Sequence, residues 1–341
     1  MFRDFVLLGI FLLVLSCTEK NPAVADIGRN DSLSTGTAGA KQSDSVEIPL
    51  YVLYDLEENR GVQSGFVSLS DNYWPNAHRD SLAMPAVSTL NATEKKFLVL
   101  QKKYRNRFLE QTKISEDDSL YIFDYSAGKV LSFPVKDLNI AANQNIYSEG
   151  SEELNQHNYE YGFEVPKNQL NNFSFNSNLV AVGKENPFPA TPLIPLEWKK
   201  ISNLAFPVGI SKRQQDEFTN SLLNSAYMSS SEHYRFFVRD FESPEEKNYT
   251  VKRHLIVTDL RGKELIQEKI FAEDEGRSIA PLNADGNIQQ SGNSLKQWSG
   301  TLLKGKPEVI FGFEYVSFGC PAVIFLDSSK KDLVINCDNR H

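Results

Sequence analysis

Short runs dense in apolar residues recur along the chain from residue 46 onward, separated by polar, turn-prone stretches, and this pattern predicts β-strands. The apolar runs are rich in aromatic and β-branched residues and are bounded by Asn, Asp, Gly and Pro, as strands usually are. They include IPLYVLYDL (48–56), YEYGFEV (159–165), YRFFVRDF (234–241) and YTVKRHLIVTD (249–259). We therefore predict a mainly β fold built of antiparallel sheets with a few short helices.

Two segments carry a helical period instead. Asn91–Glu94 and Ser211–Gln214 both have the form of a capping box, in which a polar first residue is followed three positions later by Glu or Gln. The apolar positions that follow them at helical spacing are Phe97, Leu100, Tyr104 and Phe108 in the first case and Phe218 and Leu222 in the second. This pattern predicts an amphipathic helix from about 93 to 110 and a shorter helix from about 212 to 226.

Turn residues between apolar runs predict two internal hairpins. SLYIFDYSAGKVLSFPV (119–135) has Asp124 at the start of its turn and Gly128 at the end. Asp259–Gly262 fits a type I turn with glycine at the fourth position. The four prolines of NPFPATPLIP (186–195) predict either a boundary between two β-rich domains, 46–185 and 196–341, or a strut within a single β-rich body.

The last segment, CPAVIFLDSSKKDLVINC, predicts a hairpin closed by a disulfide bond. A turn centred on Ser328 and Ser329 places Cys320 directly opposite Cys337. Cα atoms of opposed, non-hydrogen-bonded residues lie about 4.5 Å apart, which a disulfide bond can span. In this register Cys320, Ala322, Ile324, Leu326, Leu333, Ile335 and Cys337 share one apolar face. A redox-active pair would have the closer CxxC spacing.

The amino terminus is apolar in a different way. Arg3 precedes Phe5–Leu15, a run of 11 residues in which every residue except Gly9 has an apolar side chain. A membrane-spanning helix needs about 20 apolar residues, so this run is too short. Its length and its end at the small residue Ser16 are typical of a signal peptide, which predicts that residues 1–16 are removed by cleavage between Ser16 and Cys17.

Val14-Leu15-Ser16-Cys17 resembles the lipobox of bacterial lipoproteins. The resemblance covers about 20 residues and implies diacylglycerol on Cys17 and acylation, for example with palmitate, of the new amino terminus. Three acyl chains, at roughly 0.8 kcal/mol per buried CH₂, suffice for stable membrane anchoring. The residue after the cysteine is Thr18. In Gram-negative lipoproteins an Asp at this position favours retention in the inner membrane, so the resemblance implies the outer membrane. Lipid on Cys17 would also leave Cys320 and Cys337 as a pair in an oxidising compartment.

Residues 18–45 contain no aromatic residue and are rich in small and polar ones, which predicts a flexible tether with a reach of about 30 Å. Asp31-Ser32-Leu33 and Asp44-Ser45-Val46 resemble the O-glycosylation motif of Bacteroidetes envelope proteins, which would place glycans on Ser32 and Ser45. The alternative is a solvated linker without glycans. The triplet is short, and we favour that alternative.

Charge and motif content restrict the possible functions. The 341-residue chain has a net charge of −8, which argues against binding to nucleic acid or to anionic lipid. None of the five histidines lies in HExxH, and the chain has no GxSxG, no phosphate-binding GxxxxGK[ST] and no GxGxxG. No metal site and no cofactor is indicated. Acids such as Glu160, Glu164 and Asp240 are possible catalytic groups, but nothing distinguishes them among 44 acidic residues.

Two aromatic clusters, Tyr73-Trp74 and Tyr159-Glu160-Tyr161, could stack on sugar rings or pack in the core, and packing is the favoured interpretation. We expect a lipid-anchored envelope protein that acts as a non-catalytic binding or structural module, with another envelope protein or a glycan as its partner. The alternative is an envelope hydrolase acting on glycan or peptidoglycan, with carboxylates that converge only in the fold. A secreted inhibitor or immunity-type protein is a third possibility.

Overall fold

The computed structural model describes residues 48–56, 63–75, 82–148, 153–170, 173–213, 215–246, 249–284 and 296–339. The predictions for the signal peptide, for the tether, and for Ser16, Cys17, Ser32 and Ser45 lie outside these residues. Glu47–His341 forms one compact unit. The prediction of a mainly β fold with antiparallel sheets is confirmed.

The first half of this unit contains two antiparallel sheets and one α-helix, α1. The strands are β1 (Leu53–Asp55), β2 (Ser64–Ser68), β3 (Phe97–Val99), β4 (Ser119–Asp124), β5 (Lys129–Pro134), β6 (Asn139–Gln144), β7 (Tyr159–Pro166) and β8 (Asn178–Gly183), and α1 is Lys102–Thr112. One sheet has the order β1-β2-β7-β6-β3, and the other has the order β5-β4-β8. The predicted hairpin of 119–135 is present as β4 and β5, with Asp124 accepting hydrogen bonds from the turn and Gly128 at φ +66°.

The second half adds three further antiparallel sheets. Its strands are β9 (Ile194–Pro195), β10 (Lys199–Ile201), β11 (Leu222–Ser230), β12 (Tyr234–Glu242), β13 (Thr250–Asp259), β14 (Leu265–Ala272), β15 (Arg277–Ile279), β16 (Trp298–Gly300), β17 (Val309–Phe311), β18 (Glu314–Val316), β19 (Ala322–Phe325) and β20 (Leu333–Val334). The sheets have the orders β10-β11-β12-β13-β14, β20-β19-β17-β16-β9 and β15-β18. Short 3₁₀ turns lie at Val87–Thr89, Val135–Asp137, Ile146–Ser148, Gln156–Asn158, Lys167–Gln169, Asn203–Ala205, Val208–Ile210 and Gln215–Phe218.

Packing crosses the proline-rich segment 186–195. One buried cluster contains Leu50, Phe123 and Leu179 from before this segment and Trp298, Val309 and Val323 from after it. Other cores lie beside α1 and the first sheet, and between β12, β13 and β17. The division into two domains stays a prediction, and the sheets on either side of 186–195 share a hydrophobic core.

Both predicted helices differ from the structure. Asn91 and Glu94 do form a capping box, since the Asn91 Oδ1 atom accepts from two backbone N–H groups and Glu94 bonds back to the Asn91 N–H. The chain then leaves the turn as β3, because Phe97–Val99 pairs with β6, and α1 begins only at Lys102. Pairing with a neighbouring strand overrides the helical period.

The second predicted helix, 212–226, is replaced by a short turn and a strand. Gln215–Phe218 makes one 3₁₀ turn, Asn220 follows at φ +63°, and β11 begins at Leu222. The spacing of Phe218 and Leu222 therefore reflects a turn followed by a strand.

The carboxyl-terminal hairpin has a register one residue away from the predicted one. β19 pairs with β20 so that Val323 lies opposite Leu333, where the sequence argument placed Ile324 opposite Leu333. β19 also pairs with β17, and at its centre it is buried on both faces, with Val323 in one core and Ile324 in another. A strand buried on both faces has no apolar–polar alternation to fix its register.

Candidate ligand cavity

The predicted disulfide bond is confirmed. Cys320 and Cys337 are bonded, with Cα atoms 5.5 Å apart. Both cysteines lie beyond the paired residues of β19 and β20, so the cross-link tolerates the shifted register. The C-terminal segment is also held by backbone hydrogen bonds from Ile335 to Pro321 and from Asn336 to Leu50.

A cavity of about 400 Å³ lies beside this disulfide bond. Its walls come from β14, β15, β18, β19, β20 and the turn between β17 and β18, and its apolar lining includes Phe271, Phe311, Phe313, Val316, Ile324 and Ile335. Phe271 and Phe313 are stacked, with ring centroids 4.9 Å apart. A volume of this size with an apolar floor is typical of small-molecule sites in proteins.

Gly312 shapes the floor of this cavity. It has φ +91°, and a Cβ atom at this position would lie 2.6 Å from the carbonyl oxygen of Lys296. The carbonyl of Gly312 accepts a hydrogen bond of 2.9 Å from the buried Gln297 side chain. The chain can therefore turn sharply between β17 and β18, which brings Phe311, Phe313 and Glu314 to the same cavity.

The cavity carries one closed ion pair and two open charges. Lys269 and Asp332 are paired at 2.6 Å. Glu314 is half-buried and Arg277 is exposed, and within the described residues neither side chain makes a hydrogen bond or an ion pair. Burial raises the pKa of Glu314, and the nearby Arg277 partly offsets this effect.

Strand register fixes the spacing of these two open charges. β15 and β18 are antiparallel, with Arg277 opposite Val316 and Ile279 opposite Glu314. Arg277 and Glu314 are therefore diagonal neighbours on the same face of the two-stranded sheet. Diagonal positions lie about 7–8 Å apart, which long side chains can bridge. The cavity thus offers a cationic group and an anionic group above an aromatic floor.

A second cleft, of about 310 Å³, has Cys337 of the same disulfide bond in its wall. Tyr54 and Tyr147 are 45% and 66% exposed there, beside Glu160 and Asp338. Asp338 accepts a hydrogen bond of 3.0 Å from Asn145. Desolvation of the hydroxyl group, together with the charges of Glu160 and Asp338, raises the pKa of Tyr54 to about 12. This aromatic cleft is therefore acidic.

A buried polar chain joins β12, β13 and β14. Arg239 Nη2 lies 3.0 Å from His254 Nδ1, and Glu268 Oε1 lies 2.7 Å from His254 Nε2. Because arginine can only donate, Nδ1 accepts, Nε2 carries the proton and His254 is neutral. Burial lowers the pKa of His254, in agreement with this tautomer. The contact with Glu268 is thus a hydrogen bond to a carboxylate and not an ion pair.

Ser211 completes this chain, since its hydroxyl group also donates to Glu268 Oε1, at 2.5 Å. Desolvation acts to raise the pKa of Glu268, but hydrogen bonds from Ser211, from the Lys212 N–H and from His254 outweigh it and lower the pKa. Ser211 and His254 both bond to the carboxylate and not to each other. A serine nucleophile needs a histidine nitrogen free to accept its proton, so these residues have a structural role.

The acids and aromatic residues singled out from the sequence have separate places. Asp240 is bound by Arg253 at 2.7 and 2.9 Å, Glu164 accepts from Ser64 and Asn139, and Glu160 lines the aromatic cleft. Tyr73, Tyr159 and Tyr161 are buried in the first core, which confirms that they pack, whereas Trp74 is 54% exposed.

Sequence reasoning missed Glu314 and Arg277. The available signal was a single acid inside the apolar stretch IFGFEYV (310–316). Among the described residues, no group of three or more His, Cys, Asp and Glu side chains is placed to hold a metal ion. No helix within the described ranges is both long enough and apolar enough to cross a membrane. The chain matches no protein-family model, no curated protein and no solved structure.

Proposed function

We propose that this chain is a lipid-anchored protein of the bacterial outer membrane whose β-rich body is a non-catalytic binding module. Cys17 carries the lipid, residues 18–45 hold the body away from the bilayer, and the cavity beside the disulfide bond takes the ligand. The observation that carries the binding role is this cavity of about 400 Å³, in which Glu314 and Arg277 have no partner among the described residues. Unpaired charges over an apolar floor favour a ligand that completes them.

Anchoring is tested by Cys17→Ala in the producing bacterium. The unaltered chain should incorporate labelled palmitate and enter the detergent phase on Triton X-114 separation. The Cys17→Ala chain should do neither, because no thiol remains to accept diacylglycerol. Thr18→Ala is the matched control and should behave as the unaltered chain. A Cys17→Ala chain that still enters the detergent phase would contradict the anchor.

Binding is tested by filling the cavity. Ala322 lies in the cavity wall with an exposed side chain, so Ala322→Trp should occupy the space without disturbing a core. A ligand-observed NMR screen of small charged and neutral fragments should find binders to the unaltered chain that Ala322→Trp loses. Ala272→Trp, exposed at the end of β14 and outside the cavity lining, is the matched control and should retain them. The binding role of this cavity is refuted if no fragment binds the unaltered chain while failing to bind Ala322→Trp.

The acidic aromatic cleft supports a second candidate function, an envelope hydrolase acting on glycan. Exposed Tyr54 and Tyr147 could carry a sugar ring while Glu160 and Asp338 act as the carboxylate pair. Release of soluble fragments from purified peptidoglycan should then be abolished by Glu160→Gln and by Asp338→Asn. A preparation that releases no fragments under any condition in which the chain is folded would exclude this function.

A further inference from the structure

We propose that the ligand of the cavity beside the disulfide bond carries an ammonium group and a carboxylate on one carbon atom, as an α-amino acid does, together with an apolar side chain. This inference rests on the binding role proposed above and names the chemical class that the cavity selects. Its geometric basis is that Glu314, Arg277 and the Phe271–Phe313 stack line one cavity, with Glu314 and Arg277 on the same face of the β15–β18 sheet.

Charge complementarity favours a ligand with both charges over simpler ligands. A plain carboxylate would pair with Arg277 and neutralise the charge that now partly offsets the burial of Glu314, which costs free energy. A plain amine would satisfy Glu314 and leave the Arg277 guanidinium without a carboxylate. A ligand with both groups completes both side chains, and a planar guanidinium binds a carboxylate through two parallel hydrogen bonds.

The spacing of the two side chains suits charged groups on one carbon atom. Arg277 and Glu314 start about 7–8 Å apart as diagonal neighbours, and both can converge over the sheet face. Lys269 and Asp332 are paired at 2.6 Å, and the charge of Lys269 also acts on Glu314 and lowers its pKa. Asp274, the other acid whose charge reaches Glu314, accepts a hydrogen bond from the Gly276 N–H.

The aromatic floor supplies the third element of recognition. The Phe271–Phe313 stack is almost fully buried and fixes the floor, and the apolar surface open to a ligand comes from more exposed lining residues such as Phe311, Val316 and Val334. An aliphatic or aromatic side chain that covers this surface is removed from water, at about 25 cal/mol per Å². We therefore expect ligands with leucine-like or phenylalanine-like side chains to bind better than glycine or serine.

Two sources could present this chemistry in a bacterial envelope, a free amino acid and a diaminopimelate-containing peptidoglycan fragment. The experiment measures binding of L-phenylalanine, L-leucine and such a muropeptide to the full chain in mild detergent, by isothermal titration calorimetry. N-acetyl-L-phenylalanine and L-phenylalanine amide are included because each lacks one of the two charges. We expect at least one zwitterionic probe to bind and both blocked derivatives to bind at least tenfold more weakly. Binding of L-phenylalanine or L-leucine but not of the muropeptide identifies a free amino acid as the source, and the reverse result identifies the peptidoglycan fragment.

Charge-neutralising variants assign the two roles. Glu314→Gln should lose the preference for L-phenylalanine over its N-acetyl derivative, and Arg277→Gln should lose the preference over the amide. Arg261→Gln, on the exposed turn between β13 and β14, is the matched control and should bind as the unaltered chain. Circular dichroism on each variant shows whether it folds, and Glu314→Asp provides a milder change if Glu314→Gln does not.

The outcomes separate this inference from the binding role itself. If neutral apolar fragments bind and Ala322→Trp excludes them, but no zwitterionic probe binds, the ligand class is wrong and the cavity remains a binding site. If a zwitterionic probe binds equally well to Ala322→Trp, it occupies another place and the inference is overturned. If nothing in either screen binds, both proposals fail.

Discussion

Single residues decide whether adjacent strands can approach, and Gly162 is the clearest case. It lies in β7 between β2 and β6, opposite Ser68 on one side and Ala141 on the other. A Cβ atom here would lie 1.8 Å from the carbonyl oxygen of Val67, which no small adjustment can relieve. The aromatic side chains of Tyr161 and Phe163 can therefore reach the core only if residue 162 has no side chain.

Gly162→Ala should destabilise the fold by about 3 kcal/mol or more, since overpacking a close backbone contact costs at least as much as overpacking a core. Urea unfolding followed by tryptophan fluorescence measures the difference. Gly183→Ala is the matched control, because Gly183 is also in a strand and has no atom within 4 Å of the Cβ position. The two substitutions should differ by at least about 2 kcal/mol. Equal effects would show that strand propensity and not contact distance sets the cost.

Glu314 illustrates a residue that is costly for the fold and useful for binding. Burial raises its pKa, so the folded chain binds the proton more readily than the unfolded chain. The resulting stability is present below the ordinary glutamate pKa and is lost as the pH rises through the folded value. At pH 7 Glu314 is consequently a partly desolvated carboxylate that makes no hydrogen bond or ion pair among the described residues, although the charges of Arg277 and Lys269 partly offset its burial.

Glu314→Gln should therefore raise the free energy of unfolding at pH 7 and should leave it unchanged near pH 4. Urea unfolding at both values gives the comparison. Glu275→Gln, an exposed neighbour in the loop before β15, should have no effect at either value. A Glu314→Gln chain that is less stable at pH 7 would mean that the carboxylate is stabilising and would weaken its assignment as a ligand group.

At the scale of elements, the features that could be predicted from the sequence are those determined by residues a few positions apart. The strand content, the hairpin of β4 and β5, the turn at Asp259–Gly262 and the disulfide bond could all be predicted, because turn residues and alternation act over a few positions. The helix starts could not, because Phe97–Val99 has a partner in β6 that lies far away in sequence.

The candidate site was not predictable for the same reason. Its charged groups come from β15 and β18, which are separated by about 35 residues and joined only by sheet pairing. The register of β19 was missed by one residue because β17, which covers its other edge, cannot be recognised from the hairpin sequence. Cysteine pairing succeeded because a disulfide bond tolerates a range of Cα separations that includes the observed 5.5 Å.

Removing the disulfide bond tests how far it stabilises this end of the sheet. Cys320→Ser combined with Cys337→Ser should lower the free energy of unfolding by about 3 kcal/mol, since the bond closes a loop with a sequence separation of 17. Reductant should have the same effect on the unaltered chain and none on the double variant. The cavity and the aromatic cleft share this bond as a wall, so both should bind more weakly afterwards. An unchanged stability would show that hydrogen bonds to Leu50 and Pro321 suffice.

At the scale of the whole molecule, buried polar groups determine how the body responds to acid. The His254 side chain is fully buried between Arg239 and Glu268, with Arg213 the other charge that acts on it. Because burial lowers its pKa, the folded chain keeps it neutral while the unfolded chain binds a proton below about pH 6.5. Stability contributed by this residue is therefore complete above that pH and falls as the pH drops toward the folded pKa.

His254→Gln preserves the hydrogen bonds of the neutral imidazole, since the amide can donate to Glu268 and accept from Arg239, but it removes the titration. The slope of unfolding free energy against pH between 6.5 and 5 should therefore be reduced, by up to about 1.4 kcal/mol per pH unit. Urea unfolding at half-unit intervals measures this slope. His233→Gln is the matched control, because His233 is exposed beside Glu308 and its removal should not flatten the slope. An unreduced slope in His254→Gln would mean that His254 is protonated in the folded protein. The assignment of a neutral His254 between Arg239 and Glu268 would then be wrong.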